Sequence, residues 1–427
     1  MLSGPVAKGT VVSLLIRLAG IGLGLVQAIL TARLLGPEGY GMTAFVLSVS
    51  IVAATLVLFG TEPLAVREVA RYAAARDHAG LAGFVRSIRI VLFGVSLLGA
   101  GAVTAFFATA PQAEEYRSVA FYAVLIFPLI ALVLQSQGVL RGLGHTALSQ
   151  LPFFVLRPAV LVGVLAVCFV TGTGIGPEGY LNAVLAGTAL ALLWAGWSVL
   201  RLTPKGDAPA RRHPPPSVVR ASAPFLAISV TGLLLVEANT LMLAWWTTPE
   251  ETGLFQPIAR IAPLMMLGTT AAAVRYGPRV SELWARGETE RLAAVTQTFV
   301  RTTTAFTFAL TAPILILGDW LLGLYGEAFR VNVPALWWVA GAQLFNAACG
   351  PAFSLLTMTG HARHVAISQA LGLAVQVGLA AVLIPAHGGL GAAMAMAGGI
   401  VVWSAALLIQ VWRLLPIEPS LLGLFRR

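Results

Sequence analysis

Apolar residues in this chain come in long unbroken blocks, not in the one-sided or alternating patterns of soluble elements. A bilayer core of about 30 Å needs about 20 apolar residues per helix. Blocks of that length lie near 10–33, 41–60, 87–110, 117–139, 148–171 and 180–200. After a polar break, six more lie near 219–246, 253–275, 301–323, 333–357, 364–385 and 389–412. Strands of a membrane barrel would be about ten residues long and alternate in polarity. The pattern therefore predicts an all-α polytopic membrane protein with twelve transmembrane helices.

The polar break carries Pro204, Pro209 and Pro214 to Pro216, and prolines at that density cannot sit in one continuous helix. It divides the chain into an N-terminal six-helix lobe (1–202), a cytoplasmic Pro-rich linker (203–218) and a C-terminal six-helix lobe with a short tail (219–427). The halves resemble each other at a constant shift of 212 residues. Gln27 meets Asn239, Pro37-Glu38 meets Pro249-Glu250, Gly41 meets Gly253, Arg67 meets Arg279 and Arg89 meets Arg301. Further on, the run ending Gly144-His145 matches the run ending Gly360-His361. An even number of spans per half makes the repeats parallel, an arrangement that puts a substrate site between lobes near the midplane.

Charge sharpens this picture. Only 10% of the residues are charged, with 27 Lys and Arg against 17 Asp and Glu. A soluble chain would carry about 25%, so soluble enzymes and disordered proteins are excluded. The net charge of +10 would point to nucleic acid in a soluble domain. Here it follows from loop asymmetry, and no nucleic-acid partner is expected. Setting aside Arg17, Arg89, Arg157, Arg260 and Arg301, nineteen Lys and Arg fall in or beside one set of connections and three (Arg33, Arg117, Arg330) in the other. Positive loops face the cytoplasm, so both termini are expected there. The segment from Met1 to Thr10 lacks the small-residue site of a cleaved signal peptide. Cys168 and Cys349 sit within apolar blocks and form no metal or disulfide framework; no cofactor or metal is expected. No phosphate-cradling GxxxxGK[ST] loop is present, which argues against ATP hydrolysis within the chain.

An ionisable side chain at membrane depth is costly and marks function by default. Arg17 lies about seven residues into the first block, roughly 10 Å from its start, where it either lines a cavity or snorkels to headgroups. Arg157 precedes Pro158 in the fifth block, and either binds substrate or satisfies carbonyls freed by a proline bend. Glu237 and Arg260 enter the seventh and eighth blocks to similar depth, so they can form a structural pair. Alternatively, Arg260 binds an anionic group while Glu237 carries a coupling proton or cation. Gln27 and Asn239, equivalent in the repeat, are the uncharged residues expected nearest a central cavity. Arg301 and Arg89 read as interfacial anchors. The deep charges number four arginines against one glutamate, and arginine forks match phosphate oxygens bidentately.

The segments Lys8-Gly9-Thr10, Arg17, and Ala32-Arg33-Leu34-Leu35-Gly36-Pro37-Glu38-Gly39-Tyr40-Gly41, followed by Phe59-Gly60 and Val66-Arg67-Glu68, resemble the N-terminal signature of polysaccharide and oligosaccharide flippases. These belong to the multidrug/oligosaccharidyl-lipid/polysaccharide exporter superfamily. Leu140-Arg141-Gly142-Leu143-Gly144 and Gly388-Gly389-Leu390-Gly391-Ala392-Ala393 add weaker matches. The resemblance implies a V-shaped pair of six-helix lobes in a bacterial cytoplasmic membrane. Such a protein flips an undecaprenyl-diphosphate-linked oligosaccharide to the outer leaflet by alternating access. It implies a cationic lumen, onto which Arg17, Arg157 and Arg260 map. Its expected partners are that lipid-linked oligosaccharide diphosphate, the surrounding membrane lipids, and polysaccharide polymerases or glycosyltransferases; the chain is expected to act as a monomer. Two other readings stay open: a cation-coupled drug and toxin exporter of the same superfamily, and a membrane glycosyltransferase or polymerase. The first usually depends on deep acidic residues in the N-terminal half, which this chain lacks. The second is expected to place carboxylates or a domain on the outer face.

Overall fold

A computed structural model describes residues 5–203 and 215–424; most of the expected linker lies outside the described residues. Every element described is helical. Seven described helices are long and apolar enough to cross a membrane, and the bent pair Glu327–Ala348 with Ala352–Met358 makes an eighth. Two of the seven are double spans. α1 (Pro5–Leu58) breaks at Gly36, where φ is 67°. The last long helix, Ala362–Leu414, breaks at Gly388, where φ is 52° and ψ is −129°. The remaining two spans of the expected twelve fall on Pro215–Trp246 and on the broken pair Pro249–Met265 and Leu267–Ala285.

In the first half, α2 (Thr61–Ala74) follows a tight turn and leads to α3 (His78–Thr109) and α4 (Arg117–Gly142). The short α5 (Thr146–Leu151) then runs through a wide turn into α6 (Arg157–Thr171), and α7 (Pro177–Leu202) closes the set. α4 is the core of this unit and packs against α1, α2, α3 and α7. Its Ile126, Phe127 and Ile130 are fully enclosed. α3 and α6 face outward, with Phe93 77% and Val170 84% exposed. Large apolar side chains facing outward are what a bilayer solvent permits and water does not.

The second half comprises α8 (Pro215–Trp246), α9 (Pro249–Met265), α10 (Leu267–Ala285), α11 (Thr289–Ile316), α12 (Gly318–Gly323), α13 (Val333–Ala348), α14 (Ala352–Met358) and α15 (Ala362–Leu414). Pro215 and Pro216 open α8, in the first helical turn where proline costs no hydrogen bond. Contacts divide the chain into two compact units, Met1–Leu233 and Leu234–Arg427, so α8 contributes to both. In the second unit, Tyr276, Leu283, Leu292, Leu355 and Val411 share one core that ties α10, α11, α14 and the end of α15 together.

The repeat is visible in local geometry. Gly144 (φ 85°) and Gly360 (φ 88°) both turn left-handed, and each is followed by a histidine that opens the next helix. Pro37 follows the break at Gly36 and its counterpart Pro249 opens α9. Arg67 pairs with Glu68, and its counterpart Arg279 pairs with Glu282.

At Gly388 the backbone occupies a region essentially closed to other residues. A Cβ there would also meet the Glu251 carboxylate, which accepts the Gly389 N–H at 3.0 Å. The Gly388→Ala protein is expected to lose about 1–3 kcal/mol, read as a melting temperature several degrees lower in detergent. An unchanged melting temperature would show that this reversal carries no strain.

Candidate functional site

Arg17, Gln27 and Arg157 fall in the first unit, and Glu237, Asn239 and Arg260 in the second. In the first unit, Arg17 projects from α1 and is exposed. Its Nε donates to Oε1 of Gln150, 3.1 Å away, and Gln150 is buried on α5. No carboxylate pairs with Arg17 among the described residues, so its two terminal nitrogens remain available to an anion. Gln150 thus fixes the direction of the guanidinium without neutralising it.

Gln27 lies ten residues further along α1, about 15 Å at a rise of 1.5 Å per residue. It is not beside Arg17. Its Nε2 donates to the Tyr180 hydroxyl at 2.9 Å, tying α1 to α7. Arg157 opens α6 immediately after a π turn, Pro152–Leu156. Pro158 cannot donate a backbone hydrogen bond, and a wide turn just before it accommodates that loss. The Arg157 guanidinium is half-buried and lies 5.1 Å from the centre of the Phe153 ring, a cation–π arrangement.

In the second unit, α8 and α9 run antiparallel and are registered by Gln256, whose Nε2 donates to the Thr240 hydroxyl at 3.3 Å. Glu237 is one turn back from Thr240 on α8, and Arg260 one turn on from Gln256 on α9. The register therefore sets both charges at one level. Glu237 is half-buried and Arg260 exposed. Across the other face of α8, Gln376 of α15 donates to the Leu235 carbonyl at 3.2 Å.

Asn239 is 1% exposed, and neither amide atom has a hydrogen-bond partner. Leaving a buried amide unsatisfied costs about 1–3 kcal/mol, so the fold gains nothing from it. Asn239→Leu is accordingly expected to keep or raise the melting temperature. A melting temperature lowered by several degrees would make Asn239 a packing residue.

Arg301 and Arg89 are exposed at matching helix positions. Among the described residues no group of three or more His, Cys, Asp or Glu could hold a metal. One charged pair carries no local sequence signal. Arg141, in the last turn of α4, forms an ion pair with Glu62, in the first turn of α2. Gly138 and Gly142 make this possible, because a Cβ at either would strike the backbone or side chains of α2. Their i, i+4 spacing in the sequence was the available hint.

This arrangement of mostly cationic polar groups on membrane helices can be set against known proteins. A family model described as polysaccharide biosynthesis protein matches residues 6–284, well over half of the chain. The chain belongs to the polysaccharide biosynthesis protein family. Solved structures show the fold that this family member shares. A multidrug resistance MATE family transporter of the MOP superfamily, inward-facing, superposes with a TM-score of 0.73 at 16% identity, over 95% of this chain and 97% of that one. The lipid II flippase MurJ, in an inward closed conformation, gives 0.72 at 13% identity, over 93% and 87%. A MOP superfamily transporter from Pyrococcus furiosus, described by a binding pocket of reverse polarity, gives 0.64 at 16% identity, over 95% of each chain. No curated protein matches the chain by sequence. The chain is thus a multi-pass membrane protein with the fold of these transporters.

Proposed function

We propose that this protein flips an undecaprenyl-diphosphate-linked oligosaccharide from the cytoplasmic to the outer leaflet of a bacterial cytoplasmic membrane by alternating access. Both termini are then cytoplasmic, and a single chain does the work. The observation that carries the reading is Arg17, oriented by Gln150 and left without a carboxylate. A guanidinium in that state at membrane depth is costly unless an anion arrives to use it. The diphosphate is the part of such a lipid that most resists crossing hydrocarbon. Arg17, Arg157 and Arg260 supply the forks that offset its lost hydration, while the polyprenyl tail stays in lipid. Gln27, half-buried, offers a neutral hydrogen bond to the first sugars, and Glu237 carries the coupling proton or cation. Polymerases and glycosyltransferases that use the flipped glycan are the natural protein partners.

Reconstitution in liposomes tests the reading. Added diphosphate-linked oligosaccharide should become protected from a membrane-impermeant reagent only when the protein is present. Efflux of an organic cation without any such protection would make the protein a drug exporter instead.

A further inference from the structure

Arg141 closes α4 and Glu62 opens α2, and these two helices pack against each other. α5 contacts both α1 and α4, and carries the Gln150 that holds Arg17. Through α5, Arg17 and Arg141 are tied to the same end of the unit. Two guanidiniums, one of them held by the Glu62 carboxylate, therefore lie in one region. The pair is neither deeply buried nor fully solvated, since the Arg141 side chain is 35% exposed and that of Glu62 28%. An ion pair in that setting is held but exchangeable.

We infer that Arg141 is a second ligand for a diphosphate headgroup, masked by Glu62 while the protein is empty. This rests on the function proposed above and adds a loading step to it. A carboxylate can engage one guanidinium fork, but a diphosphate carries more charge on two phosphoryl groups and can bridge two. Arg17 alone gives weak capture, and Arg17 with Arg141 gives strong capture once Glu62 is displaced. The displaced carboxylate is not stranded, because it sits in the first turn of α2, where the helix N-terminus favours negative charge. As the headgroup leaves, Glu62 retakes Arg141 and lowers the affinity at that end. The alternative is that the pair only clamps α2 to α4.

Binding of two probes to the purified full-length protein separates these cases: farnesyl diphosphate for the lipid-linked form, and inorganic pyrophosphate for the free one. Glu62→Gln is expected to bind farnesyl diphosphate about tenfold more tightly, and Arg141→Gln about tenfold more weakly, as removal of one charge-assisted contact predicts. The double variant should behave like Arg141→Gln. Glu62→Asp, which keeps the charge but shortens its reach, should shift affinity in the same direction as Glu62→Gln by less, and serves if that protein does not fold. Pyrophosphate should follow the same order at lower affinity; equal affinity for both probes would reject the lipid as the occupant. Unchanged affinity in Glu62→Gln with a lowered melting temperature would overturn the masking role, while leaving the proposed function intact if Arg17→Gln still weakens binding. No binding of either probe to any of these proteins would remove the proposed function as well.

Discussion

Replacing Arg17 by alanine is expected to reduce flipping of a diphosphate-linked oligosaccharide by about a hundredfold, the equivalent of about 3 kcal/mol of charge-assisted hydrogen bonding. The structural cost should be small. Arg17 is exposed, and among the described residues the bond lost is the 3.1 Å contact to Gln150, so the melting temperature should stay within a few degrees of wild type. Arg17→Lys separates charge from shape. Lysine retains the positive charge, but as a compact point charge it cannot span two phosphate oxygens or keep the Nε contact to Gln150. About a tenth of the wild-type rate is expected from it. Equal rates for Lys and Arg would mean that charge alone matters. Full activity in Arg17→Ala would remove Arg17 from the transport path.

The second large effect is expected at Glu237. With Gln in its place the shape is kept and the charge is lost, and transport should stop responding to an imposed proton or cation gradient. The rate is expected to fall about tenfold, in the range seen when a positioned proton-transfer group is lost, while lipid binding persists through the arginines. Arg260, set at the same level by the Thr240–Gln256 register, would lose the nearby negative charge. A double variant, Glu237→Gln with Arg260→Gln, therefore tests a structural pair. Recovery of stability without recovery of gradient response supports coupling. A Glu237→Gln protein that still responds to the gradient as wild type does would exclude Glu237 from it.

Much of the fold could be read from the chain because the membrane imposes a length on every apolar block. The double helices α1 and α15 break at Gly36 and Gly388, between blocks already separate in the sequence. The internal breaks were less visible. The block 253–275 reads as one span, yet α9 ends at Met265 and α10 begins at Leu267. Hydropathy does not register a helix interruption when both flanks stay apolar. The block near 333–357 hides a similar break at Cys349 to Pro351, and the one near 301–323 starts earlier, at Thr289, and stops at Ile316. Of the site, charge sign was legible at Arg17, Arg157, Glu237 and Arg260. Partners were not. Gln150 lies 133 residues from Arg17, and Glu62 lies 79 from Arg141. Such contacts depend on which helices are neighbours, which no local pattern encodes. Glu62 in particular reads as one more loop carboxylate until α2 is seen lying against the two glycines of α4.

The most direct measurement is a structure of the protein with a bound polyprenyl diphosphate. Phosphate oxygens are expected within about 3 Å of the Arg17 terminal nitrogens, with the prenyl chain directed into lipid. A headgroup bound elsewhere, with Arg17 turned toward the acyl chains, would contradict it.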